Sequence, residues 1–224
     1  MSGREGATAH DGVPGPLPGP TGSAGRPRHR SSWAGPSAVF EPDLVGAATA
    51  AGGLLSSLGV DLGSESLART PARMAAALAE LLTPRPFELT TFPNDGGYDE
   101  LIVARGVPVR SLCEHHMLPF VGTAHVGYLP GERIVGLSKL ARVVEHFSRR
   151  PQVQERLTTQ VSTWLRDQLG AAGVGVVVEA EHLCMTLRGV QAPGTTTVTS
   201  SLLGALREDP RTRAEFLALA RSAR

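Results

Sequence analysis

Residues 136–170, GLSKLARVVEHFSRRPQVQERLTTQVSTWLRDQLG, decide the fold class. Ser138 reads as the cap of a helix running to about His146, and Pro151 as the start of a second helix ending near Gly170. The second helix sets Val153, Leu157, Val161, Trp164, Leu165 and Leu169 on one stripe, the spacing of a core-facing side. Two strand-like segments precede the pair, Glu100 to Val109 and the alternating Phe120 to Leu129. Two more follow it: Val174 to Leu187 is a long strand and Thr195 to Leu202 its hairpin partner. The order strand, strand, helix, helix, strand, strand predicts an α+β domain, with an antiparallel sheet and the helices gathered on one face.

Working outward, Glu41 to Leu58 reads as a helix stopped by Gly59. Thr70-Pro71 supplies an N-cap and a proline for a helix from Ala72 to Leu82. Thr83 to Gly97 is a Pro/Gly-rich connection, and Asp209-Pro210 opens a terminal helix to about Ala220. The first 37 residues hold 8 Gly and 6 Pro and almost nothing apolar to bury, so they read as a disordered tail. The organisation expected is therefore a tail, 1–37, and one domain, 38–224, divided into a helical part (38–98) and a sheet-bearing part (99–224).

The 224 residues carry 22 basic and 21 acidic side chains, a net charge of +1, and Lys139 is the one lysine. That balance argues against a general binder of nucleic acid or anionic membrane, which needs a strongly basic face. No apolar run approaches the roughly 20 residues of a membrane span, and no secretory signal is visible, so a cytoplasmic protein is expected. Two cysteines do not make a disulfide scaffold.

Five of the seven histidines and both cysteines fall between Cys113 and Cys184. Cys113 and His116 form a Cys-x-x-His pair in a turn after a strand, where side chains three apart converge on one ion; His115 must point elsewhere. On the later strand, alternation puts Val176, Val178, Ala180, His182, Cys184, Thr186 and Arg188 on one face, with His182 and Cys184 roughly 6.6 Å apart. Two thiolates and an imidazole from Cys113, His116 and Cys184 favour Zn²⁺, and three ligands leave a position for water. The same cysteines also fit blander roles: Cys184 as an ordinary core residue, or the two as a disulfide. His125 and His146 have no partner pattern and read as structural or surface residues.

Basic residues form a second pattern. Lys139 and Arg142 are expected in the first turn of the Ser138 helix, where free N–H groups and the helix dipole favour an anion. Arg188 could supply a bidentate phosphate contact. Glu155, at the start of the next helix, is either simple dipole compensation or an acceptor for the adjacent N–H donors of guanine, and spacing does not choose.

From about Leu44 to the C-terminus the chain resembles the GTP cyclohydrolase I family. The resemblance rests on SLCEHHMLPFVG (111–122), VGYLPGERIVGLSKLARVVEHFSRRPQVQERLT (126–158), EAEHLCMTLRGVQAPGTTTVTS (179–200) and TRAEFL (212–217). It implies the tunnelling fold and a toroidal homodecamer with active sites between subunits. It also implies Cys113, His116 and Cys184 as zinc ligands. His182 would protonate the purine at N7 so that activated water attacks C8, and His115 would transfer protons during ring opening. GTP would lose formate and rearrange to 7,8-dihydroneopterin triphosphate. Ser138, Lys139, Arg142 and Arg188 match positions around the ribose and triphosphate, and Gln154 and Glu155 the nucleoside-recognition pair.

Arg73, in TPAR (70–73), would reach a neighbour's triphosphate. Ala76 stands where family members often carry a basic residue, and the connection from Arg73 to Cys113 looks shortened. Two other readings remain: a paralogue serving a specialised pterin or deazapurine pathway, and a non-catalytic zinc-stabilised binding module. A zinc nucleobase deaminase is excluded by the absence of a Pro-Cys-x-x-Cys signature.

Overall fold

The computed structural model describes residues 41–221, so the expected tail (1–37) lies outside the described residues. Two helices come first, α1 (Leu44–Ser57) and α2 (Thr70–Leu82). Then follow β1 (Thr91–Pro93), β2 (Ile102–Cys113), β3 (Pro119–Leu129), β4 (Arg133–Val135), α3 (Leu137–Ser148), β5 (Pro151–Gln152) and α4 (Gln154–Leu169). The chain closes with β6 (Gly173–His182), α5 (Leu183–Thr186), β7 (Thr196–Gly204), α6 (Ala205–Glu208) and α7 (Pro210–Arg221). The central order of two strands, two helices and two strands is as expected, and the α+β class holds.

The main sheet runs β5-β2-β3-β6-β7, and all neighbours are antiparallel except the short parallel β2–β5 pair. Alternation sends Val107 and Val109 of β2, Ala124, Val126 and Tyr128 of β3, and Val174, Val176 and Val178 of β6 to one side. There they meet the apolar stripes of α3 (Leu140, Val143, Val144, Phe147) and α4 (Leu157, Val161, Trp164, Leu165, Leu169). Between Ala104 and Val107 the β2–β3 register slips, and Gly106 takes φ +67°, a conformation that costs glycine little.

The helices are not gathered on one face. α7 covers part of the opposite side, where Leu202, Leu206, Phe216 and Ala220 form a second small core. Gly127 and Gly175 are directly paired across β3 and β6, and a Cβ at either would come within 2.8 Å of the Phe216 ring. The missing side chains leave a flat patch on which the ring lies.

Several boundaries differ from expectation, each for a local reason. Gly136, in extended backbone, precedes α3, so Ser138 is the second helical residue and no side chain caps the helix. Lys139 lies in the first turn, but Arg142 falls in the second. Arg69 rather than Thr70 is the N-cap of α2. Pro151 does not begin a helix: it pairs with Leu112, Gln152 pairs with Cys113, and α4 starts at Gln154. The long strand ends at His182, and Leu183–Thr186 is one helical turn, so Cys184 and Arg188 do not continue the strand face. The connection after Thr83 contains β1, which pairs with β4. Among the described residues, no helix is long and apolar enough to cross a membrane.

Candidate metal and catalytic centre

β2, β3, β6 and the start of α4 meet at one end of the sheet. Cys113 ends β2, and the chain turns back on it at once: Cys113 O accepts from His116 N (3.3 Å) and Met117 N (2.8 Å), while Cys113 N donates to Leu118 O (2.8 Å). The reversal puts Met117 at φ +54°, costing about 1 kcal/mol for a residue with a Cβ. Glu114 N donates to Gln152 O at 3.0 Å, tying the turn to β5. From α4, Arg156 ion-pairs with Glu114 and also donates to Gln152 Oε1 (2.8 Å) and Pro151 O (3.1 Å). The Arg156 guanidinium holds the Glu114 carboxyl below its ordinary range. Glu114 is therefore bound into structure and is not a free acid.

On this frame the donor atoms of Cys113, His116 and Cys184 lie within 4.8 Å of one another. A tetrahedral ion with bonds near 2.0–2.3 Å needs donors about 3.5–3.8 Å apart, a small inward movement. The donor chemistry fits a soft or borderline cation. Burial, and then the neighbouring Cys113, push the Cys184 thiol up from its ordinary value. A cation that takes both sulfurs as thiolates relieves that crowding. The two cysteines are free thiols, not a disulfide.

A cavity of about 300 Å³ opens over these residues and is also lined by His115, His182, Gln154 and Glu155. His115 Nδ1 is 3.7 Å from Cys113 Sγ. The His182 ring stacks on Phe120 (centroids 4.7 Å apart, planes at 12°), and its Nε2 meets Gln154 Oε1 at 2.8 Å. Burial lowers the His182 pKa below its usual 6.5, and the negative charge of Glu155 works against that. Arg188 stands at the rim and donates to His116 Nε2 at 3.2 Å.

The structure thus brings together Cys113, His115, His116, Gln154, Glu155, His182, Cys184 and Arg188. It does not bring in Ser138, Lys139, Arg142 or Arg73. Ser111 Oγ donates to Ser148 O (2.7 Å), which sets the end of α3 beside this centre. α3 has 12 residues and is about 18 Å long, and its first turn lies at the end opposite Ser148. Arg142 faces Glu145 (3.6 Å) across a separate cleft of about 280 Å³, which Arg110 and Arg149 also line. Arg73 is exposed in the first turn of α2.

Sequence reasoning missed Phe120, Gln152 and Arg156. Arg156 follows Gln152 by four residues at a helix start, a visible spacing, but nothing local says that it reaches Glu114, 42 positions away.

The sequence pattern of the GTP cyclohydrolase I family matches residues 47–221. A Synechococcus protein (strain JA-2-3B'a(2-13)) called GTP cyclohydrolase 1 is 49% identical over 202 residues, 87% of each chain. The protein of that name from Homo sapiens is 44% identical, over 92% of this chain and 89% of its own. The one from Aquifex aeolicus (strain VF5) is 48% identical, over 74% and 90%.

Proposed function

The chain belongs to the GTP cyclohydrolase I family, a family of hydrolases, and from that premise we propose that it hydrolyses GTP at C8 of the purine with zinc as cofactor. The reaction releases formate and yields 7,8-dihydroneopterin triphosphate, the first step of tetrahydrofolate and pterin biosynthesis, in the cytoplasm. The observation that carries this reading is the convergence of Cys113, His116 and Cys184 in a cavity shared with His115, His182 and Glu155.

Cys113, His116 and Cys184 would hold the zinc. When bound in a three-residue site, zinc lowers the pKa of a coordinated water towards 7 and so makes hydroxide available at neutral pH. His182 gives a proton to N7, which draws electrons from C8 and opens it to attack. Its depressed pKa keeps that proton weakly held. His115, next to Cys113, moves protons as the imidazole ring opens to a formamide and a second hydrolysis frees formate. Glu155, exposed at the start of α4, accepts the paired N–H donors of guanine, which adenine lacks.

Arg188 binds phosphate at the rim. Ser138, Lys139, Arg142 and Arg73 complete the triphosphate site from neighbouring copies in a toroidal homodecamer of tunnelling-fold subunits. None of the four lines the cavity over Cys113, His116 and Cys184 within one protomer, which supports a site shared between subunits. The test is to incubate zinc-loaded protein with GTP and measure formate and, after oxidation, a fluorescent pterin. Absence of both from a zinc-loaded oligomer overturns the proposal.

A further inference from the structure

Gln154, the first residue of α4, is 1% exposed, and its carboxamide has one permitted orientation. Nε2 lies 3.0 Å from Val178 O, 2.9 Å from Thr197 O and 3.1 Å from Thr199 Oγ1. A backbone carbonyl only accepts, so the group facing two of them is the NH₂. A flipped amide would set an oxygen against both carbonyls. Oε1 therefore faces His182 Nε2 at 2.8 Å, and because this oxygen also only accepts, Nε2 bears a hydrogen. Phe120, stacked on the ring, fixes its plane. A neutral imidazole has one N–H, so the lone pair is on Nδ1, which makes no hydrogen bond among the described residues.

We propose that Gln154 is a positioning residue: it locks His182 in the Nε2–H tautomer and makes Nδ1 the nitrogen that exchanges a proton with the substrate. Both hydrogens of the Gln154 amide are committed to Val178 and Thr197, which leaves no donor for a purine. Of the two side chains at the start of α4, Glu155 is the one left to recognise the base. The role of Nδ1 rests on the hydrolase reading above; the tautomer rests on the hydrogen bonds alone.

The test uses full-length, zinc-loaded protein labelled with ¹⁵N at histidine, observed by long-range ¹H–¹⁵N correlation at a pH where the rings are neutral. His182→Ala identifies the resonances. The expected pattern is a protonated Nε2 and a bare Nδ1; the reverse pattern overturns the proposal. Gln154→Met keeps the side chain's length and removes its hydrogen bonds. It should lower kcat by about 100-fold with KM nearly unchanged, and His182 should show averaged tautomers.

A raised KM with kcat intact would make Gln154 a substrate contact and overturn the assignment. Retention of the Nε2–H pattern in Gln154→Met would overturn it too. The wild-type spectrum decides the tautomer even if Gln154→Met does not fold. It needs no turnover, so a wild-type enzyme with the expected tautomer that releases no formate refutes the hydrolase reading instead.

Discussion

Replacing Arg156 with leucine tests whether α4 holds the turn that carries His115 and His116. Arg156 is the partner that the structure gives to Gln152 Oε1, and Gln152 is 0% exposed. Removing the guanidinium leaves that buried oxygen without a donor, which costs about 1–3 kcal/mol. The Glu114 pair is solvent-accessible and screened, so it adds nothing to this figure. For a domain of this size the loss lowers Tm by roughly 2–4 °C per kcal/mol. The turn would keep its backbone bonds to Cys113 O and Gln152 O but lose its tether to the helix. Loss of such a supporting contact lowers metal affinity by about 10–100-fold. The assay is competition for zinc against a chromophoric chelator, alongside thermal unfolding of the metal-free protein. A variant that unfolds earlier yet binds zinc with wild-type affinity would show that the turn holds itself, and would refute the reasoning.

Three further outcomes follow from the same geometry. Cys184→Ser should lose bound metal together with activity; unchanged metal content by elemental analysis would remove Cys184 from the ligand set. His146 packs edge-on against Phe87 and Phe147, and burial holds its pKa below 6.5, so the folded state binds fewer protons than the unfolded one. Its contribution to stability is present above 6.5 and lost as pH falls towards the depressed value. Denaturant midpoints of metal-free His146→Phe should therefore fall less steeply on acidification, and an unchanged slope would contradict this. Gly175→Ala would drive a Cβ to 2.6 Å from the Phe216 ring, destabilising by about 1–3 kcal/mol while leaving the Cys113, His116 and Cys184 cluster intact. A denaturant midpoint at or above that of the wild type would show that α7 shifts freely.

Element types were legible because hydrophobic periodicity is a local property. The stripe Leu157, Val161, Trp164, Leu165 and Leu169 announces α4 at any place in a fold, and all five residues are buried. Cys113 and His116 were legible as a pair because three residues of turn suffice to bring them together. Where elements stop was less legible. The apolar, β-favouring run after Val174 gives no sign that the strand ends at His182, and that break is what turns Cys184 towards Cys113.

What the chain alone determined is the order of its main elements and the reactive groups of the centre: two cysteines, the neighbouring histidines and the carboxylate at a helix start. Tertiary structure decided how those groups are held. Gln154 looks like any polar residue at a helix start until β6 and β7 bring the Val178 and Thr197 carbonyls to its amide. Phe120 becomes the floor under His182 because β3 pairs with β6 in that register. Arg156 reaches the turn after Cys113 because β5 lies beside β2. α7 reaches the far face because two glycines, 48 positions apart, are paired. Side-chain type is written residue by residue, but the donor that each acceptor finds depends on long-range register, and no local spacing records it.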